Sequence, residues 1–437
     1  MARHPGGGRG DLVPGSGVPR RVPSPGGFPP GPGSGAGYPD LPTHLLRGRT
    51  VALSSEDRRH LTRAVQLGRQ GWGRVHPNPM VGCVLVRDGQ VVGEGWHQEW
   101  GGPHAEVQAL AAAGPEAARG ATAYVSLEPC RHEGKTPPCT RALEAAGVRR
   151  VVYGAADPGA ESGGGGAELA RAGLQVEGPV FSADEARREN PGFFHRDPAR
   201  PWICLKLALS LDGRIAAAAG ERTPVTGPEV ARAVHHLRAG MDAVLVGART
   251  ARVDDPLLTV RGEGVCPRTP PVRVVLDGRG TLSPEARLVM GVPEGPVHLL
   301  TTGASRARWR DGMAERGVRV TVVPGREGRI AVAPALHVLR ESGIRTLLCE
   351  GGGQVAGAFL GEGVVDRLHL AVAPRFFGHG GVPGFPVTSV AFEVGALRGG
   401  RSLFGRAGVP PRQWNRIEPP EALGSDVWLT YEPVRGS

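Results

Sequence analysis

From residue 54 onward the chain alternates between two hydrophobic rhythms. Leu61, Ala64, Val65 and Gly68 share one face at helical spacing, behind Glu56 and Asp57, which predicts a helix with acidic residues at its positive end. A short apolar run at 80–86 then meets Asp88-Gly89, a two-residue hairpin signal, and the chain returns along 90–97. Residues 106–113 predict a helix, 121–127 a strand, 139–146 a helix and 150–154 a strand. Such alternation predicts a layered α/β domain that ends near Phe194, with 195–201 as a linker.

The same rhythm resumes beyond the linker. Strands are predicted at 202–208, 243–246, 272–276, 297–301, 318–323, 346–349, 367–373 and 427–431. Helices are predicted at 228–239 and 334–341, and the stretch 391–423 carries no clear pattern. Residues 1–48 are rich in Gly and Pro with almost no hydrophobic periodicity, so they are expected to be disordered. The expected organisation is therefore an extension over 1–48, one α/β domain over 49–195 and a second over 201–437.

Length agrees, since 437 residues exceed what one core usually supports. No run of 18 apolar residues is present, so a membrane span is not expected, and the first residues lack a signal-peptide pattern. Six cysteines scattered through a long chain suit a reducing, cytoplasmic setting better than a disulfide framework. Part of the net charge of +10 sits in the first fifty residues, where Arg3, Arg9, Arg20, Arg21, Arg47 and Arg49 face only Asp11 and Asp40. Without basic stripes interleaved with aromatics, nucleic acid is not an expected partner; an anionic small molecule is.

Candidate chemistry concentrates between His104 and Cys139. His104, Cys130 and Cys139 offer one imidazole and two thiols, three ligands of the kind that hold zinc and leave a fourth position open. His104-Ala105-Glu106 followed by Pro129-Cys130 and a second Cys is the signature of zinc nucleobase deaminases, in which the Glu moves protons and is not a ligand. The second Cys follows nine positions after the first, a longer spacing than the generic one. In the second half, Glu350-Gly351-Gly352-Gly353-Gln354 lies between an apolar strand and a helix-like segment, where backbone N–H groups can approach a phosphate. It is not the dinucleotide fingerprint after a first strand, which disfavours a standard Rossmann domain. Lys206 interrupts an apolar strand and either pairs with a carboxylate or donates to a substrate oxygen. Residues 250–259 read as a turn with a capping residue, and Arg238 and Arg261 have the forked donors that suit a phosphate.

These residues together resemble the bifunctional deaminase–reductase family of riboflavin biosynthesis, over roughly residues 55–375. The resemblance is carried by Pro77-Asn78-Pro79-Met80-Val81-Gly82, His97, His104-Ala105-Glu106, Leu127-Glu128-Pro129-Cys130 and Gly134-Lys135-Thr136-Pro137-Pro138-Cys139. In the second half it is carried by Lys206, Ser210-Leu211-Asp212-Gly213, Thr250, Asp254-Asp255-Pro256, Leu258-Thr259 and Glu350-Gly351-Gly352. It implies a cytidine-deaminase-like three-layer α/β/α domain followed by a dihydrofolate-reductase-like α/β domain. The first would remove the 2-amino group of a phosphorylated ribosylaminopyrimidine with zinc; the second would reduce its ribosyl group to ribityl with NADPH.

By the same resemblance His104, Cys130 and Cys139 hold zinc, Glu106 shuttles protons, and Asn78, His97 and Lys135 contact the first substrate. Lys206 stands near the reacting ribose, and Arg238, Leu257, Arg261 and Glu350 line the second substrate. Leu209, Pro224, Thr250, Asp254, Gly352, Gly353, Gln354, Val355, Ala356, Gly357 and Ala358 line NADPH. The family carries a Ser-x-Trp-Ile-Thr-like stretch where this chain has Arg222-Thr223-Pro224-Val225-Thr226, so Pro224 replaces a flat stacking surface. That departure leaves open an alternative, a deaminase whose reductase-like domain has lost its activity. Residues 158–163 are also unusually rich in glycine. A homo-oligomer is expected.

Overall fold

The computed structural model describes residues 53–134, 137–262, 267–385, 392–394 and 412–434. The extension over 1–48 and Lys135 lie outside the described residues.

The first half is built on one sheet. After α1 (Ser55–Arg69) come β1 (Gly82–Arg87), β2 (Gln90–Trp96), α2 (Ala105–Ala118), β3 (Thr122–Leu127), α3 (Cys139–Ala145), β4 (Arg150–Ala155), α4 (Gly165–Arg171), β5 (Gln175–Glu177), α5 (Ala183–Glu189) and α6 (Pro191–Phe194). The strand order is β2-β1-β3-β4-β5, antiparallel around β1 and parallel from β3 to β5. Asp88 and Gly89 both take positive φ, which the primed turns joining twisted strands require.

Strand alternation sends side chains to two separate cores. Cys83, Leu85, Ala123, Val125 and Val151 pack under Ala105 and Ala109 of α2, Leu143 of α3 and Leu169 of α4. Val84, Val86, Tyr124 and Val152 face Ala64 and Leu67 of α1 on the other side. The result is a three-layer α/β/α domain of the cytidine-deaminase kind. α1 begins with a capping box, in which Ser54 Oγ accepts from the Asp57 N–H at 3.0 Å and the Asp57 carboxylate accepts from the Ser54 N–H at 3.0 Å. The α2 segment breaks at Gly114, which is non-helical with φ 74° and precedes Pro115.

The second half contains β6 (Trp202–Ser210), β7 (Arg214–Ala216), α7 (Pro228–Ala239), β8 (Ala243–Gly247), α8 (Ala248–Asp254), β9 (Val272–Leu276), α9 (Arg287–Met290), β10 (Val297–Thr301), α10 (Ala307–Ala314) and β11 (Arg319–Val322). A small hairpin, β12 (Gly325–Arg326) and β13 (Arg329–Ile330), leads to α11 (Val332–Glu341), β14 (Thr346–Cys349), α12 (Gly353–Glu362) and β15 (Arg367–Ala373). β16 (Val382–Pro383), β17 (Phe392–Val394), β18 (Arg412–Arg416), β19 (Glu421–Leu423) and β20 (Asp426–Pro433) follow.

Among the described residues the main sheet runs β11-β10-β9-β8-β14-β6-β15-β20-β18-β17, with β19 beside β20. It is parallel from β11 to β15 and turns antiparallel at β20. One face is covered by α11 and α12 through Leu336, Leu339, Phe359 and Leu360. The other is covered by α8, α9 and α10 through Ala251, Leu288, Val289 and Met313, and by α7 through Val230 and Val234. The patterned strands are found within a residue or two of their expected ends. β17, β18 and β19 fall in the stretch without a pattern, and α8 replaces the turn expected around Thr250.

Candidate functional site

His104 is the N-cap of α2, Cys130 follows β3 after a short loop, and Cys139 is the first residue of α3. Three elements thus deliver three side chains to one point. His104 Nδ1 lies 3.3 Å from the Cys139 sulfur and 3.5 Å from the Cys130 sulfur. All three candidate ligand atoms lie within 4.8 Å of one another. Nitrogen and sulfur ligands at tetrahedral angles around zinc stand about 3.5–3.8 Å apart, so this donor set fits the ion. The backbone N–H of Cys139 donates to the Cys130 sulfur at 3.5 Å. The Cys139 thiol, donating to it, draws the Cys130 thiol below its ordinary value, while Cys139 is itself pushed up. Zinc would hold both sulfurs as thiolates.

Glu106 lies one helical step inside α2 and is 3% exposed. Burial pushes its carboxyl up, and negative charge on Cys130 pushes in the same direction. His97, expected to touch the first substrate, packs edge-on against the His104 ring at 5.4 Å. Burial lowers the pKa of its imidazole, so the ring is neutral. The Pro103 carbonyl, 3.1 Å from Nδ1, calls for the proton there, and His97 Nε2 then accepts from the Asn78 amide at 3.2 Å. Asn78, His97, His104 and Glu106 thus form one continuous group.

Glu128 supports this corner. Its oxygens accept from the Gly166 N–H at 2.9 Å and the Asp157 N–H at 3.1 Å. Within the glycine-rich stretch a Cβ at Gly163 would lie 2.4 Å from the Asp157 carbonyl; just beyond it, a Cβ at Gly165 would lie 1.8 Å from the Pro129 carbonyl, and Gly164 takes φ 89°. The segment runs closely behind the loop that carries Cys130.

Thr250 and Gly352, and Arg238 and Glu350, meet near the carboxyl ends of β8 and β14, where open parallel sheets bind ligands. Gly352 N–H donates to Thr250 Oγ1 at 3.1 Å, which joins the glycine turn to α8. Gly352 caps α12 with no side-chain bond to the first amides. Cβ atoms at Gly247 and Gly351 would come within 2.8 Å of Val355, so both positions call for glycine, and the first amides of α12 carry no side-chain cap, as anion-receiving helix starts do. A phosphorylated nicotinamide cofactor fits this donor set. Asp254 lies at the end of α8; burial raises its carboxyl, and nearby Arg222 works against that. Arg222 therefore stands in the electrostatic field of Asp254. Gly353 is buried in the turn, Gly357 is half-buried, and Gln354 and Ala358 are exposed along α12. Ala356 and Leu209 point into the apolar core. Pro224 is exposed, and its carbonyl accepts from Arg375 Nη1 at 3.0 Å.

Arg238 and Glu350 meet each other. Arg238 Nε and Nη2 donate to the two Glu350 oxygens at 2.6 and 2.8 Å, and Nη1 donates to the Thr259 carbonyl at 2.9 Å. Three of its five N–H groups are thereby spent inside the protein. Arg261 is exposed and tied by its backbone N–H to His235 Nδ1 at 3.1 Å. Leu257 is half-buried, and its carbonyl accepts from the fully buried Arg273 at 3.3 Å. Lys206 sits in β6; burial lowers the pKa of its ammonium, with Arg238 adding to this and Glu350 and Asp426 opposing it.

Three neighbours were not singled out from sequence. Asn190 pins the Asn78 loop, its Oδ1 accepting from the Met80 N–H at 2.7 Å and its Nδ2 donating to the Met80 carbonyl at 3.0 Å. Asp426 accepts from the Gly227 N–H at 2.6 Å. His369 is the register partner of Lys206 on β15, and its Nδ1 accepts from Trp428 Nε1 at 3.1 Å. A histidine amid apolar strand positions was the one legible signal among them.

A three-layer domain with a zinc-type His/Cys/Cys cluster, followed by a largely parallel domain with a glycine cradle, defines a deaminase joined to a reductase. Residues 54–155 match the cytidine and deoxycytidylate deaminase zinc-binding region, and residues 201–392 match the RibD C-terminal domain. The riboflavin biosynthesis protein RibD of Escherichia coli is 40% identical over 335 residues, covering 74% of this chain and 89% of that protein. The solved structure of Acinetobacter baumannii RibD superposes with a TM-score of 0.69 at 33% identity, covering 87% of this chain and 99% of that one. A Thermotoga maritima structure described as a diaminohydroxyphosphoribosylaminopyrimidine deaminase and 5-amino-6-(5-phosphoribosylamino)uracil reductase gives 0.68 at 32% identity, with coverage of 87% and 99%. The chain belongs to the RibD family of bifunctional deaminase–reductases.

Proposed function

We propose that this enzyme removes the ring amino group of diaminohydroxyphosphoribosylaminopyrimidine in its first domain, over residues 49–195. In the second, over residues 201–437, it reduces the ribosyl group of 5-amino-6-(5-phosphoribosylamino)uracil with NADPH. The observation that carries the reading is the meeting of His104 Nδ1 with the Cys130 and Cys139 sulfurs beside the buried Glu106. Zinc held by these three ligands supplies the Lewis acidity that makes water a nucleophile near neutral pH. Glu106 takes the proton of the attacking water and returns it to the leaving amine, a role suited to a carboxyl raised by burial. Asn78 orients the pyrimidine: its Nδ2 is committed to His97, so its Oδ1 is the end that receives a ring N–H. Lys135, four positions before Cys139 in the sequence, completes the proposed contacts to the first substrate.

In the reductase, NADPH supplies the hydride. Thr250, Asp254 and the turn and helix from Gly352 to Ala358 bind it, with Pro224 at its edge and the core-facing Ala356 and Leu209 backing that surface. Lys206 donates the proton that accompanies hydride delivery, and its lowered pKa brings that proton closer to the working pH. Glu350, held in one orientation by Arg238, receives substrate hydroxyls, while Arg261 and Leu257 line the same pocket. Among the described residues Cys83, Cys130, Cys139, Cys204 and Cys349 form no disulfide, which supports a cytoplasmic setting. Among the described residues no helix is long and apolar enough to cross a membrane. A homo-oligomer completes the reading, and sedimentation of the purified chain tests it.

Supplying the diaminopyrimidine with NADPH tests the function. Amine release followed by loss of NADPH absorbance is expected; amine release without NADPH oxidation contradicts the second activity, including at Pro224.

A further inference from the structure

The loop that carries Asn78 is not supported by its own domain alone. Residues 72–76 lie against the end of α7 and the chain at Arg268, both parts of the second domain. Trp72 Nε1–H donates to the His236 carbonyl at 2.7 Å, and the indole stacks on the His236 ring at 6.0 Å. The indole occupies the space above Gly240, where an added Cβ would stand 2.0 Å from it. Gly73, at φ 76°, approaches the Ala239 carbonyl so closely that a Cβ there would stand 2.7 Å away. The Arg268 N–H donates to the Gly73 carbonyl at 2.8 Å, and Arg268 Nη1 donates to the His76 carbonyl at 3.1 Å. The same guanidinium lies 4.2 Å from the Trp100 ring centroid. His76 Nε2 is 2.7 Å from Asp242 Oδ1, and Asp242 Oδ2 accepts from the Arg345 and Thr346 N–H groups at 2.7 and 2.9 Å.

This contact joins two working ends. On one side, the Asn78 N–H donates to the Val75 carbonyl at 2.9 Å, and the Asn78 side chain reaches His97. On the other, the turn of α7 that receives Trp72 also carries Arg238, which holds Glu350. A tryptophan ring on a glycine, two close backbone approaches and a histidine–carboxylate contact exceed what a hinge between independent domains needs.

We propose that Trp72, His76 and Arg268 are positioning residues for deamination. The second domain clamps residues 72–76 and so sets Asn78 against the pyrimidine of the first. The proposal rests on Asn78 contacting that substrate. Asn78 holds the ring in the ground state and the transition state alike, so loosening it weakens binding and leaves the chemical step intact. A contact that merely glued the domains would instead change stability, or both activities in parallel.

Full-length Trp72→Ala, Trp72→Phe and Arg268→Ala chains are compared with the unaltered enzyme for zinc content, deamination kinetics and reduction of the deaminated pyrimidine. Trp72→Ala and Arg268→Ala are expected to raise the deamination KM about five- to tenfold, with kcat and reduction each within about twofold and zinc retained. Trp72→Phe keeps the ring on Gly240 and is expected to recover part of the loss. Unchanged KM in both alanine variants, or a parallel fall in the two activities, overturns the proposal. Should Trp72→Ala fail to fold, the surface guanidinium of Arg268 carries the test alone. An unaltered enzyme that holds zinc yet releases no amine would overturn the reading of the first site instead.

Discussion

Glu106 and the candidate ligands His104, Cys130 and Cys139 differ in what their removal should do. Glu106→Gln keeps the shape and gives up the exchangeable proton, so zinc should stay while deamination falls by about a hundredfold or more. Metal loss in that variant would show Glu106 to be a ligand. Lys206 has a sign that can be worked out. Burial holds its ammonium below the ordinary value of 10.5, so the folded chain sheds that proton before the unfolded chain does. The full cost of burying the charge stands at low and neutral pH and is relieved as pH rises toward 10.5. Lys206→Met should therefore abolish reduction yet melt higher than the unaltered enzyme at neutral pH, with the advantage shrinking in alkali. A constant difference in Tm across that range would contradict the burial. At this scale the sequence was most legible where chemistry demands rare residue types. His104, Cys130, Cys139 and Glu106 announced themselves, whereas Asn190 and Asp426 act through backbone amides and leave no pattern.

The elements were legible for a different reason: apolar spacing reports which side of a helix or strand is buried, and both layered domains obey it. α1 is an example, since Leu61, Ala64, Val65 and Gly68 are buried as their spacing predicts. Its first turn adds a network that spacing does not reveal. Burial raises the Asp57 carboxyl, but hydrogen bonds from Arg150, Ser54 and Tyr124 outweigh it and hold Asp57 well below the ordinary value of 3.8. A lowered acid stabilises the fold above its unfolded value and loses that contribution as pH falls. Asp57→Asn should cost about 2–3 kcal/mol near neutrality, and denaturant titrations should show the gap closing below pH 3.8. The expected turn at Thr250 is instead α8, whose last turn passes into Asp255 at φ 40°, a left-handed position that local spacing cannot foresee. The cap of α12 fared better, because three successive glycines leave few other uses for a strand-to-helix turn.

Across the whole molecule, the order of two α/β units followed from the linker composition, but their contact did not. Pairing between distant residues needs three dimensions, and Trp72 with Gly240 or His76 with Asp242 has no local signal. The same holds for Glu432, whose oxygens accept from Arg188 Nε at 2.9 Å and Arg367 Nη2 at 2.8 Å, tying α5 to β15 and β20. Glu432→Ala leaves two guanidinium groups without that partner and should lower stability by about 3 kcal/mol, read as a fall in Tm. An unchanged Tm would mean that water replaces the carboxylate without cost.

Two separate chemistries on one chain are tested most directly by metal analysis and both assays on a single preparation of Cys139→Ser beside the unaltered enzyme. The unaltered chain should hold one zinc and perform both steps. The variant should lose its zinc and its deamination while still oxidising NADPH with the deaminated pyrimidine. A variant that keeps zinc and deaminates, or one that loses both activities together, would contradict the account.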